Sequence, residues 1–316
     1  MTRRRFWAAA AFLAIAGGLG ASWMLGSLMV RPNPSAVPAA SLPARDLVIR
    51  TSDGLSLAAT YRPGRLADSP GVLMLHGNGA SRAAAAANAA WLADRGYAVL
   101  AIDFRGHGES SPAPHSFGLF ESRDAAAAFA WLKRSQHGAP VATIGISLGG
   151  AAALLGARRP LPADAMILQA VYPDIRHAIR NRIAAVTVRP AGLLLEPLLS
   201  YQSLPRLGAW PERLAPLSAI RAYRGRVLVI GGGRDLYTPP AETKALFDAA
   251  PGRKGLWIAP GVDHAQTSDL ATDAYRARIL AFLRETIGDP LRPPPRLPAG
   301  TSSAAGSESR NSRSPR

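Results

Sequence analysis

Short apolar runs recur along this chain and alternate with longer, alanine-rich segments. The runs cover 71–76, 97–102, 141–146, 165–171, 226–230 and 255–258 and are rich in Val, Ile and Leu. Continuous apolar stretches of this length read as strands buried on both faces. Helices are predicted over 81–95, 120–134, 151–155, 240–250 and 268–287, where apolar residues recur at helical spacing or alanine dominates. Upstream, 47–49 and 55–61 flank Ser52-Asp53-Gly54, a hairpin signal. An antiparallel opening followed by alternating strand and helix predicts an α/β fold with a mostly parallel, doubly wound sheet.

The beginning of the chain follows another pattern. Residues 6–30 are 25 positions without a charge, preceded by Arg3, Arg4 and Arg5 and followed by Arg31. As a helix this run extends about 37 Å at about 1.5 Å per residue, enough to cross a hydrocarbon layer of about 30 Å. The expectation is a membrane anchor over 1–30, an N-terminal transmembrane helix. The arginines ahead of it place the N-terminus inside and the remainder of the chain outside the cytoplasm, on the periplasmic or cell-surface side. Thr2-Arg3-Arg4-Arg5-Phe6-Trp7 also resembles a twin-arginine export signal, and the small residues over 37–41 offer a cleavage site. An exported soluble form is therefore the alternative. Residues 31–44 read as a proline-rich linker, and 45–288 as the globular domain. The tail over 289–316 is Pro-, Ser- and Arg-rich and reads as disordered. Between about 174 and 218 the strand–helix rhythm breaks. Nine arginines over 174–226 stand against two glutamates, Glu196 and Glu212, and the segment reads as an inserted helical cap over the strand ends.

Composition narrows the partners. Lys and Arg number 37 against 21 Asp and Glu, a formal charge of +16. Only Lys133, Lys244 and Lys254 are lysines, a bias that a GC-rich coding sequence produces. With no basic stripe interleaved with aromatics and no nucleic-acid reading motif, nucleic acid is not an expected partner. An anionic membrane surface suits the charge better. Cysteine is absent, which excludes disulfides, thiolate catalysis and cysteine-ligated metals.

The chemistry centres on Gly145-Ile146-Ser147-Leu148-Gly149, set between a strand and a helix. In that context Gly-x-Ser-x-Gly is a nucleophile elbow: a strained turn exposes the hydroxyl at a helix N-terminus. A serine nucleophile needs a base and the base an orienting acid. His264 follows the last predicted strand, and Asp235 follows Gly231-Gly232-Gly233-Arg234, again beyond a strand's C-terminal end, where sites gather in such sheets. Asp263 is the rival acid, but a carboxylate adjacent to the histidine points away from its inner nitrogen. The oxyanion donors expected are the N–H groups of Leu148 and of Asn78, in the loop His76-Gly77-Asn78-Gly79. His76 itself reads as a packed support for that loop. No metal or organic cofactor is implied.

These motifs, with Asp103-Phe104-Arg105-Gly106-His107-Gly108-Glu109-Ser110, resemble the α/β-hydrolase superfamily, in its serine aminopeptidase, monoacylglycerol-lipase-like and BEM46-like branch. The likeness covers about 45–287. It implies a Ser147–His264–Asp235 triad acting on esters or related acyl bonds of small or lipid-like substrates. It implies only a structural role for the Asp103–Ser110 loop, so His107 and Asp103 carry no chemical assignment. Serine at the elbow argues against dehalogenase chemistry. A peptidase or acyltransferase with the same machinery is the first alternative, and a non-catalytic binding protein of this fold the second.

Overall fold

The structure is a computed structural model that describes residues 3–156, 159–268 and 270–291. The hairpin forms as its signal predicts. Strand β1 (Arg45–Arg50) pairs antiparallel with β2 (Ser56–Arg62), and Gly54 takes φ +87° in the turn between them. The apolar runs become β3 (Gly71–Leu75), β4 (Ala98–Ile102), β5 (Val141–Ile146), β6 (Ala165–Gln169), β7 (Arg226–Gly232) and β8 (Lys254–Ala259). Together they make one eight-stranded sheet in the order β8-β7-β6-β5-β3-β4-β2-β1. Every pairing from β4 to β8 is parallel.

Alternation along each strand divides the core in two. On β3, Leu73 and Leu75 join one apolar cluster while Val72 and Met74 join the other. The first cluster is closed by helices α3 (Glu121–Ser135), α4 (Leu148–Leu155) and α9 (Pro240–Ala249). The second is closed by α2 (Ala86–Ala93) and α11 (Asp273–Thr286). The sheet is thus covered on both faces, as a parallel sheet must be.

Two predicted helices begin differently in the structure. The first opens as a 3-10 turn over Arg82–Ala85, because Arg82 is held back: its N–H and its guanidinium both bind the buried carboxylate of Asp103. The last begins later than expected, at Asp273, where the Thr272 hydroxyl accepts the Tyr275 N–H and starts α11; a separate short helix, α10 (His264–Ser268), precedes it.

The segment without strand–helix rhythm folds as α5 (Ile175–Val186), α6 (Arg189–Ser200), α7 (Ser203–Leu207) and α8 (Pro216–Ala219). Buried Glu196 binds Arg176 at 3.0 Å and so ties α6 to α5. A Cβ on Gly192 would lie 2.6 Å from the Arg180 carbonyl oxygen, so glycine is what lets the two helices close.

Helix α1 (Arg3–Met29) is long and apolar enough to cross a membrane. Phe6, Trp7, Phe12, Leu13, Ile15 and Leu19 are all exposed along it. The linker after it has almost no regular structure but is stitched to the domain. Asn33–Pro34 pairs with His107–Gly108, the His115 N–H donates to the Val30 carbonyl, and the Asn33 amide reaches the Gly79 carbonyl at 3.0 Å. Most of the tail, from residue 292 on, lies outside the described residues.

Candidate active site

Ser147 sits between β5 and α4 at φ +48°, ψ −107°, a strained backbone conformation for any residue with a side chain. Its neighbours explain how the turn closes. A Cβ on Gly149 would lie 2.2 Å from the Leu75 carbonyl oxygen, and one on Gly145 would lie 2.6 Å from Gly150 Cα. Only glycine admits the elbow at those two positions. At Gly77 a Cβ would meet nothing closer than 3.7 Å, so that glycine is not sterically required.

Asp235 and His264 meet directly. Nδ1 of His264 donates to Asp235 Oδ2 at 2.8 Å, while Oδ1 accepts the N–H groups of Tyr237 and Thr238, both at 2.8 Å. Both oxygens of the carboxylate are thus engaged, and Nδ1 of the imidazole is spent on one of them. The meeting depends on glycine again. A Cβ on Gly232 would come within 2.4 Å of the Val262 carbonyl oxygen, so the loops after β7 and β8 can touch only because it is absent. Asp263 does not reach the ring. It caps α10, its carboxylate accepting the Gln266 N–H at 2.9 Å.

Gln169, at the end of β6, links the two halves of the rim. Its carbonyl accepts the Ser147 N–H at 2.7 Å and its amide donates to the Thr267 carbonyl at 3.2 Å, in the helix that His264 begins. Tyr275 donates to the other end of that amide at 2.7 Å. Nothing in the sequence pattern singles out this buried glutamine.

Asn78, Ser147 and Leu148 line one cleft of about 600 Å³, together with Met29, Phe117, Tyr172 and the α5 face Ile175, Ala178, Ile179 and Arg182. Spacings of three and four along α5 put those four side chains on one helical face, a signal present in the sequence. The Arg182 guanidinium donates to the Ala178 carbonyl and lies 5.1 Å over the Tyr237 ring. Among the described residues no carboxylate forms a salt bridge with it, and burial lowers its pKa from the ordinary guanidinium value.

Behind Asn78 stands a cluster of neutral imidazoles. His76 accepts the Phe104 N–H at Nε2 and donates from Nδ1 to the Gly77 carbonyl. Burial brings its pKa down to about 4. His107 donates to the Arg105 carbonyl and stacks on His115 at 4.0 Å; burial, then the neighbouring rings, bring it to about 3. Both serve the architecture of the loop. Asp103 does likewise, anchoring Arg82 and the Glu109 N–H where Gly108, at φ +53°, leaves room for its carboxylate. Among the described residues no cluster of His, Asp and Glu could hold a metal ion.

Comparison with known proteins agrees with this architecture. A family described as serine aminopeptidase, S33, matches residues 69–203. An uncharacterized protein of Mycobacterium tuberculosis is 33% identical over 266 residues, covering 82% of this chain and 87% of that protein. Lysophosphatidylserine lipase ABHD12 of Danio rerio is 28% identical over 205 residues, 63% of this chain and 52% of the lipase. Among solved structures, an esterase of Pyrococcus furiosus superposes with a TM-score of 0.64 at 23% identity, over 82% of this chain and 99% of that one. At that identity the likeness is one of fold.

Proposed function

The chain belongs to the α/β-hydrolase superfamily, in its serine aminopeptidase-like branch, and from that premise we propose that it is a serine hydrolase that cleaves carboxylic esters through Ser147, His264 and Asp235. The observation that carries the reading is the Asp235 carboxylate. It holds Nδ1–H of His264 while two backbone N–H groups fix its own orientation. In the proposed reaction His264 Nε2 takes the proton from Ser147 as Oγ attacks the acyl carbon. The N–H groups of Leu148 and Asn78 hold the oxyanion. Collapse transfers the acyl group to Oγ, and the imidazolium gives its proton to the departing alcohol. Water, deprotonated by His264, then attacks the acyl-enzyme and releases the acid and free Ser147.

The substrate we infer is an acyl lipid with an anionic group. Arg182 lines the cleft and, among the described residues, forms no salt bridge, and the lipase relative's name specifies an anionic lipid. The family description supports a second reading, a peptidase acting on free amino termini. Recognition of an ammonium group calls for a carboxylate, and the described residues lining the cleft include none. We therefore favour the ester. Reaction with a fluorophosphonate probe tests the nucleophile: the native chain is labelled and Ser147→Ala is not. Full labelling of that variant overturns the reading. A panel of p-nitrophenyl esters against aminoacyl naphthylamides separates esterase from peptidase.

A further inference from the structure

Helix α1 is clamped to the cap at its C-terminal end. Ser22 Oγ donates to the Leu198 carbonyl at 2.8 Å, and the Gln202 amide donates to the Ser22 carbonyl at 3.0 Å. Arg206 reaches the Trp23 carbonyl at 2.7 Å and the Ser27 hydroxyl at 3.0 Å, with its guanidinium 3.9 Å over the Trp23 ring. A Cβ on Gly26 would lie 2.1 Å from Gln202 Oε1, so the approach is made where a side chain is missing.

Met29, in the last turn of α1, lines two cavities at once. One is the Ser147 cleft. The other is a narrow gap between α1 and the cap, lined by Gly26, Met29, Phe117, Ile175, Ile179 and Leu199, among others. The two share Met29, Phe117, Ile175 and Ile179, and these common walls are wholly apolar.

The helix also sets the height of this second cavity. About 20 residues at about 1.5 Å each cross the hydrocarbon layer. Counted from Phe6, the crossing ends near Leu25, so the following turn emerges among the lipid headgroups. Trp23 and Arg206 are residue types that settle at that level. Leu193, Leu194, Leu195 and Leu198 are exposed on α6, the cap helix that α1 packs against. Their exposure is explained if that side of the cap rests in the bilayer surface.

We propose that the last turn of α1 is a wall of the acyl site. On this reading the substrate is a lipid of the same membrane, whose acyl chain passes from the bilayer between α1 and the cap helices α6 and α7 to Ser147. The anchor is then retained in the working enzyme, because removing it would open the cavity to water. This inference rests on the serine-hydrolase reading, so its test includes a readout independent of turnover.

Full-length Ser147→Ala protein in phosphatidylcholine vesicles is irradiated with a lysophosphatidylglycerol whose acyl chain ends in a diazirine. Crosslinks are expected within 26–30 and in α6 or α7. Crosslinks elsewhere with none within 26–30 overturn the proposal, whatever the enzyme's activity. In parallel, Met29→Trp in the otherwise native chain is assayed with p-nitrophenyl butyrate and p-nitrophenyl dodecanoate. The dodecanoate-to-butyrate rate ratio should fall about tenfold, roughly what two fewer buried methylenes are worth. An unchanged ratio counts against the wall. Native protein that cleaves neither ester while the crosslinks appear within 26–30 sinks the hydrolase reading and leaves the channel standing.

Discussion

Nδ1 of His264 lies 2.8 Å from Oδ2 of Asp235, although 29 residues separate them in the chain. Asp263, the neighbour in sequence, spends its carboxylate on the Gln266 N–H instead. Asp235→Asn should therefore lower the rate of ester cleavage by about 10⁴-fold, because an amide there favours the wrong imidazole tautomer. Asp263→Asn should cost at most a few-fold, through a weaker cap on α10. Steady-state kinetics on p-nitrophenyl butyrate compare the two, and a larger loss in the second variant would reassign the acid.

Gly149 faces the Leu75 carbonyl so closely that a methyl group cannot fit. Gly149→Ala must displace either β3 or the elbow, at a cost of about 1–3 kcal/mol or more. A lowered melting temperature together with lost probe labelling is the expected result. Gly77→Ala, where contacts are ordinary, should melt within a degree or two of the native chain, given the roughly ±0.5 kcal/mol of an unstrained change.

Arg182 gives the cleft its only described charged side chain. Arg182→Gln should raise KM for a lysophosphatidylglycerol by about 10- to 100-fold, the worth of a hydrogen bond to a charged group at about 1.5–3 kcal/mol. A neutral monoacylglycerol should be affected much less. Equal losses on both lipids would mean that Arg182 supports only the packing of α5 on Tyr237.

The buried imidazoles give stability a pH dependence of definite sign. His76 and His107 have pKa values near 4 and 3 when folded, against 6.5 when unfolded. Their contribution is complete above about pH 6.5 and is lost as the pH falls toward 4, because the unfolded chain takes up protons first. For His76 alone the loss reaches about 3 kcal/mol at pH 4. Melting temperatures of Ser147→Ala protein should decline steadily from pH 7 to 4.5. His107→Phe, which can still stack on His115, should give a shallower decline; an identical slope would show that His107 is not a buried neutral ring.

Much of this organisation can be read along the chain. The strands announce themselves because a parallel sheet buried on both faces demands uninterrupted apolar runs, and the elbow because its geometry tolerates so few residues at 145 and 149. Asp235 and His264 are recognisable from their places after strands. The starts of helices are less legible, since Arg82 leaves the helical path for a carboxylate 21 residues away. Arg182 is hidden among nine arginines, of which Arg176 pairs with Glu196 and Arg206 lies on Trp23. Met29 is the hardest to foresee. An evenly apolar helix carries no mark of which turn will meet the cap.

The linker after α1 adds a constraint of its own. Because the N–H groups of Asn33 and Ser35 donate to the carbonyls of Gly106 and Gly108, the body has no slack with which to swing away from α1. If the anchor stays in place, encounters between this enzyme and its substrate become a two-dimensional problem. The rate would then follow the mole fraction of lipid in the adjoining leaflet, and diluting the surrounding buffer would leave it unchanged.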